Sequence, residues 1–444
     1  MKIASVIRKH KLDILSLSNI NIINKILFLI LITLVFRFLT AIPVPGVPLD
    51  ALKQILSQYS FGEILNITSS GALASTTLLA IGLGPYINAS VVLQLLSSVV
   101  PKLEEIQKEG AKGRMIINMY TRLLTLPLAL LQSVVIYYFL KSNGLVYVNV
   151  NLPGVLTGLE IGSLIASLTG GSILLMWISE ILSEDNFVNG SSYIIAAGIL
   201  ADIPGKFSAG LSGVEDYVMA IVVVVTILWV AFVIYITSAE RRIPIKHAKV
   251  KSFSSKPMKD NYIPLKLNQA GVMPVIFALS FLSTPALVLD LLQKSDWVSK
   301  YSWLQTISEF VTKISDTKSI VYNVILALLI FGFSIFYAFV VMNPEERADS
   351  LKRQGAFIPG VRPGEESRRY LSKILLRMSI WGGLFLVIVA VLPMVLPNLI
   401  SSHLNITVPI FFSGTGVLIV IGVMVNILDK FRSLKTERYT LTGI

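Results

Sequence analysis

Residues 79–98, LAIGLGPYINASVVLQLLSS, are apolar enough to lie in lipid yet carry Gly82, Gly84, Pro85, Asn88, Ser90 and Gln94. A segment that only had to sit in a bilayer needs none of these. Polar groups and helix-loosening residues are tolerated at membrane depth where they face other protein or a water-filled path. The segment therefore predicts a chain that builds a route through the bilayer, not one that merely anchors in it.

Composition sets the class. Of 444 residues, 54% are hydrophobic and only 14% charged, against roughly a quarter charged in an average soluble domain. This is the profile of a polytopic membrane protein. Cysteine is absent, which excludes disulfides, thiol nucleophiles and Cys-based metal sites. The start, MKIASVIRKHKLDILSL, has no apolar core ending in a small-residue cleavage site, so no cleaved signal peptide is expected.

A helix needs about 20 apolar residues to cross the hydrocarbon. Ten segments meet that demand, at roughly 24–42, 75–99, 118–140, 155–182, 192–210, 216–238, 268–291, 318–342, 377–399 and 408–429. An even number puts both termini on one side. Most of the 38 Lys and Arg fall in the N-terminal arm 1–23, the loop after the second segment, the loops 239–267 and 343–376, and the tail 430–444. By the positive-inside rule that face is cytoplasmic. The stretch between the fourth and fifth segments breaks the bias, with Glu180, Glu184 and Asp185 and no basic residue. The loops 239–267 and 343–376 are too short for independent domains but long enough to project as docking arms. The long loop after the sixth segment suggests two five-helix halves, 24–210 and 216–429; inverted repeats are common in such proteins.

Chemistry is conspicuous by its absence. No G-x-x-x-x-G-K-[ST] run occurs, and Gly82-Leu83-Gly84 and Gly414-Thr415-Gly416 lack the third glycine of a dinucleotide fingerprint. His10, His247 and His403 are scattered, so neither a metal site nor a base for Ser413 is expected. No catalytic residue, cofactor or metal is predicted, and the chain is not read as an enzyme. The energy for its work must come from elsewhere.

Five stretches point one way: Ile42-Pro43-Val44-Pro45-Gly46, Gly84-Pro85-Tyr86-Ile87-Asn88-Ala89-Ser90, Glu104-Glu105-Ile106-Gln107-Lys108-Glu109-Gly110, Asn268-Gln269-Ala270-Gly271-Val272-Met273-Pro274, and Phe357-Ile358-Pro359-Gly360-Val361-Arg362-Pro363-Gly364. Together they closely resemble the SecY family, the channel subunits of the bacterial protein-conducting translocon, from the first segment to the tenth. The resemblance implies an all-α membrane protein with ten transmembrane helices in two pseudo-symmetric five-helix halves around a central pore. It implies a channel of the bacterial plasma membrane, with the thylakoid membrane as the alternative, that passes unfolded secretory proteins outward and releases membrane segments sideways into lipid. The implied partners are SecE, SecG, the SecA motor, the ribosome with its RNA, and substrates bearing signal sequences.

Residue roles follow from the same resemblance. A pore ring is implied at Leu83, Ile87, Ile195, Ile276 and Ile419. A narrow apolar collar holds no stable water and so blocks ions by dewetting. Leu83 and Ile87, four apart, share a helical face. Without the resemblance, an isoleucine in a membrane span is ordinarily a lipid-facing or packing residue. A plug is implied at about 61–74, with Phe61, Ile64, Ser70, Gly71 and Ala72; the alternative there is an external amphipathic loop helix. Ser90, Gln94 and Asn268 are implied at a lateral gate, where polar side chains bond across a seam, although Gln94 suits a structural contact equally well. Arg241, Arg242, Lys246, Lys249 and Arg362 are implied to meet SecA or the ribosome; basic residues on these arms also serve topology and contact with anionic lipid headgroups. The competing reading is a secondary transporter for a small solute, whose broken helices look similar. It calls for an ionisable residue near the midplane, whereas Glu160 and Asp202 lie near segment ends.

Overall fold

The computed structural model describes residues 24–44, 77–142, 158–184, 188–211, 216–247, 262–282, 319–404 and 414–441. Each of the ten expected segments contains a helix. In chain order these are α1 (24–39), α2 (Gly84–Val99), α4 (Ala111–Ser142), α5 (Gly158–Glu184), α6 (Gly190–Leu211) and α7 (Asp216–Thr237). There follow α8 (Met273–Leu282), α9 (Ile320–Met342), α11 (Glu365–Leu404) and α12 (Gly414–Leu441). Two further short helices are α3 (Pro101–Lys108) and α10 (Pro344–Arg353). Among the described residues, six helices are long and apolar enough to cross a membrane, in α4, α5, α7, α9, α11 and α12; the bent pair α2–α3 makes a seventh if counted as one span. The chain divides into two compact units, Met1–Ala201 with Asn426–Ile444, and Asp202–Val425.

The second segment departs from the expected helix over 75–99. Residues 78–83 form turns, and α2 begins only at Gly84. Gly82 has φ 65°, which glycine reaches without steric cost. Pro85 stands in the first helical turn, where a missing N–H costs nothing. At the other end Val100 is extended ahead of Pro101, as a residue before proline prefers. The axis turns there by 104° into α3.

In the first unit the helices are tied by hydroxyls. Thr33 and Tyr193 lie 2.7 Å apart and join α1 to α6. Ser133 and Thr169, also 2.7 Å apart, join α4 to α5. Ser172 on α5 donates to the Gly82 carbonyl at 2.9 Å. Its neighbour Gly171 lies so close to the Leu78 carbonyl that any side chain there would collide with it. Where α5 passes to α6, the Gly190 N–H donates to the Ser183 hydroxyl at 2.9 Å. Such bonds between membrane helices contribute about 0.6–2 kcal/mol each.

In the second unit the described parts of the stretches 239–267 and 343–376, expected as loops, are folded. Strands β1 (Glu240–Pro244) and β3 (Tyr262–Lys266) form an antiparallel hairpin, with Arg242 opposite Pro264. Strand β2 (Lys246–His247) pairs with β4 (Ala356–Phe357) of the other arm. These small sheets are the departure from an all-α chain, and they lie outside the apolar spans. Ile243, Leu265, Met342, Leu351, Ile358 and Leu371 share one buried core, so both arms rest on the ends of α9 and α11. Farther along, Phe277 of α8 packs edge-on against Phe333 and Tyr337 of α9.

Asn343 makes the corner between α9 and α10. Its φ is 30°, and its side chain accepts from the Glu346 N–H at 3.4 Å. Asn343→Ala should destabilise the fold by about 1–2 kcal/mol through the lost cap and the strained left-handed backbone, and Asn343→Gly by clearly less. Apparent melting temperatures of the detergent-solubilised protein check this; equal losses for Ala and Gly would remove the backbone from the explanation.

Candidate functional site

All five expected ring residues are buried. Leu83 and Ile419 are 0% exposed, Ile195 is 1%, and Ile87 and Ile276 are 3%. Other apolar side chains, in α1 and α7, look different: Leu27 is 65% exposed, Phe38 69% and Leu228 64%. The five positions therefore face protein. Leu83 is the residue before α2 and Ile87 lies one turn inside it; the other three fall within α6, α8 and α12.

The expected gate residues behave less simply. Gln94 donates through Nε2 to the Ser90 hydroxyl at 3.1 Å, one turn back on α2, so these two side chains bond each other. The Gln94 Oε1 is buried without a hydrogen-bond partner among the described residues, and so is Asn268 Oδ1. Asn268 is 5% exposed and lies just before α8. Its surroundings are firmly held. The Leu267 N–H donates to the Ala239 carbonyl at 2.9 Å. Gln269 Oε1 accepts from the Lys266 N–H at 3.1 Å. Gly382 of α11 packs directly on the Leu267 carbonyl. An unpaired buried amide oxygen costs about 1–3 kcal/mol, so Asn268 is a weak point in a rigid setting.

The arms present their arginines on anchored turns. In 357–364, Ile358 is buried as the foot of the loop. Gly360 and Gly364 have φ of 79° and 99°, reversing the chain on either side of Arg362. The Arg362 carbonyl accepts from the Ser367 hydroxyl at 2.8 Å, which fixes the backbone. The Arg362 side chain is 87% exposed, and among the described residues its ion-pair contact is a long 4.0 Å one to Glu366. Arg241 and Lys246 are exposed. Arg242 pairs with Glu240 at 2.7 Å and lies over the Tyr262 ring at 4.9 Å. The Glu240 hydrogen bond, with a smaller contribution from Tyr262, holds the guanidinium pKa above its ordinary value. Lys249 and the plug positions Phe61, Ile64, Ser70, Gly71 and Ala72 lie outside the described residues.

Two features escaped the sequence reading. Glu180, the acidic exception to the charge bias, is paired with Arg122 of α4 at 2.7 Å. The partners are 58 residues apart, so no local pattern announces them. Arg368 bridges Glu345 at 3.8 Å and Glu365 at 3.5 Å, linking the starts of α10 and α11.

Comparison with known proteins decides the family. The family model SecY matches residues 77–428. The chain belongs to the SecY family. Protein translocase subunit SecY of Mycobacterium bovis is 35% identical over 434 residues, covering 95% of this chain and 97% of that relative. Among solved structures, that of a protein-conducting channel superposes with TM-score 0.61 at 17% identity, covering 92% of this chain and 91% of the other. Sec61 in the canine ribosome-channel complex from the endoplasmic reticulum gives TM-score 0.58 at 17% identity, with 92% and 91% coverage. These channels share the fold, and the SecY family motifs of this chain fall at the turn before α2, at Asn268 and at Arg362.

Replacing Asn268, whose Oδ1 has no hydrogen-bond partner among the described residues, tests its setting. Asn268→Leu should raise the apparent melting temperature, by an amount equivalent to about 1–2 kcal/mol, because it removes an unsatisfied acceptor. A lowered melting temperature would show the carboxamide to be bonded.

Proposed function

We propose that this chain is the channel subunit of a translocon, conducting unfolded secretory proteins across the bacterial plasma membrane and releasing transmembrane segments laterally into lipid. The match to the SecY family from residue 77 to 428 carries the reading. A small-solute transporter has no comparable support, since the relative matched over 95% of this chain is a protein translocase subunit.

The buried apolar residues make the seal. Leu83, Ile87, Ile195, Ile276 and Ile419 form the collar. Branched apolar side chains offer water no hydrogen bonds, so a narrow ring of them stays dry and impassable to ions. The same lack of directional bonding lets the ring fit any extended peptide. Asn268 and the Ser90–Gln94 pair belong to the lateral gate. An apolar segment entering such a gate has only weak polar contacts to displace.

Energy comes from outside the membrane. SecA and the ribosome dock on the two arms through Arg241, Arg242, Lys246, Lys249 and Arg362. The planar guanidinium fork pairs with carboxylate or phosphate in two parallel bonds, which suits an acidic protein surface and ribosomal RNA alike. The canine Sec61 relative, seen in a ribosome-channel complex, supports a ribosomal partner. SecE and SecG complete the assembly, anionic lipids meet the basic arms, and both termini are cytoplasmic.

Two measurements test this. Ile87→Gly and Ile276→Ser should raise resting ion conductance of the reconstituted channel several-fold; unchanged conductance would take them out of the collar. Arg362→Glu should slow SecA-driven export at least tenfold at undiminished complex abundance, and normal export kinetics would dismiss its docking role.

A further inference from the structure

Gly171 and Ser172 of α5 belong to neither the collar nor the gate, yet both meet the turn that leads into the collar. The turn at 78–83 is poorly defended by its own chain. Its internal bonds are Ala80 N–H to the Thr77 carbonyl at 2.9 Å and Gly82 N–H to the Leu79 carbonyl at 2.8 Å. Leu83, at the start of α2, supplies no side-chain cap. Gly82, with its positive φ, resists no torsion. The chain just after α1 also reaches the turn, since the Leu78 N–H donates to the Ile42 carbonyl at 3.0 Å, but that bond ties the first residue of the turn and leaves Leu83 at its far end unfixed.

Helix α5 supplies what is missing. Ser172, fully buried, gives its hydroxyl proton to the Gly82 carbonyl, the peptide joined directly to Leu83. Gly171 lets the Leu78 carbonyl approach to a distance no other residue would permit. One contact holds the start of the turn and the other its end. Leu79, between them, and Leu83 are both 0% exposed.

We infer that Gly171 and Ser172 are positioning residues for the pore collar, locking the 78–83 turn so that Leu83 and Ile87 keep a fixed place. The inference rests on the reading of Leu83 and Ile87 as collar residues. A dewetted constriction is sensitive to its width, so a small displacement of Leu83 admits water and ions at rest. The role is positional, since neither residue needs to touch the translocating chain.

The absence of cysteine makes a direct test available. Leu83→Cys places a single thiol at the collar, and its labelling by a water-soluble maleimide reports the turn's position independently of conductance. Purified complexes carrying Ser172→Ala, Gly171→Ala or Ser133→Ala are compared for labelling rate in the Leu83→Cys background, and for resting conductance in planar bilayers without it. Ser133→Ala removes a buried hydroxyl of the same α4–α5 region without touching the turn. Ser172→Ala and Gly171→Ala should raise resting conductance several-fold and speed labelling several-fold, while Ser133→Ala does neither. If Gly171→Ala fails to accumulate, Ser172→Ala, which adds no volume, decides alone.

Wild-type conductance and labelling in the Ser172 variant overturn the inference. So does an equal leak from Ser133→Ala, which would mean general loosening. Ile87→Gly is measured in parallel: if it leaks and Ser172→Ala does not, the anchor is refuted and the collar stands. If Ile87→Gly stays tight, the collar reading fails, and faster labelling in Ser172→Ala still supports the anchored turn while unchanged labelling refutes it.

Discussion

A backbone that leaves the helix inside a membrane protein must hand its carbonyls to some other group, because lipid offers none and an unpaired polar group there costs several kcal/mol. The chain meets this demand at its second span. Six residues of turn precede α2; the Ser172 hydroxyl of α5 bonds the Gly82 carbonyl, and Gly171 leaves room for the Leu78 carbonyl to pack close. Much else follows from that arrangement. The broken span ends its turn on Leu83 and starts its helix with Ile87 one turn away.

Outside the apolar spans the same problem has a different solution. Water can satisfy exposed backbone there, so hairpins and caps suffice. The β1–β3 ladder, the Asn343 cap and the glycine turns around Arg362 define the arms. Below them a shared apolar core joins the arms to α9 and α11. The charged groups mostly find partners on the same surface, as Arg242 does with Glu240 and Arg368 with Glu345 and Glu365. Exposed pairs of this kind contribute about 0–1 kcal/mol each, so they shape the surface more than they stabilise it. Arg362, whose ion-pair contact among the described residues is a long one to Glu366, is left the most available of these arginines.

The spans were legible because an apolar run about 20 residues long matches the thickness of the hydrocarbon and little else in a folded chain. Their ends were not. Hydropathy senses the hydrocarbon, whereas helices continue past it: α4 begins at Ala111, not 118, and α11 at Glu365, not 377. The arms carried readable signals that hydropathy ignores. Asn343-Pro344-Glu345-Glu346 is a cap, a first-turn proline and two acids, and Lys352-Arg353 with Gly355 closes the same helix. Ile243, and Ile263 with Leu265, carry the alternation of half-buried strands. Other contacts had no local signature. Arg122 finds Glu180 58 residues away, and Ser172 finds Gly82 90 residues away. The SecY family motifs located the candidate residues, but that Ser90 and Gln94 bond each other, and that the Asn268 Oδ1 has no partner among the described residues, became visible only in three dimensions.

The ladder between β2 and β4 has a mechanical consequence. Lys246 and His247 of one arm are stitched to Phe357 and Ala356 of the other, so the two projections are coupled at that point. Whatever leans on either also loads the other, and the load arrives at the roots of α9 and α11 as a torque.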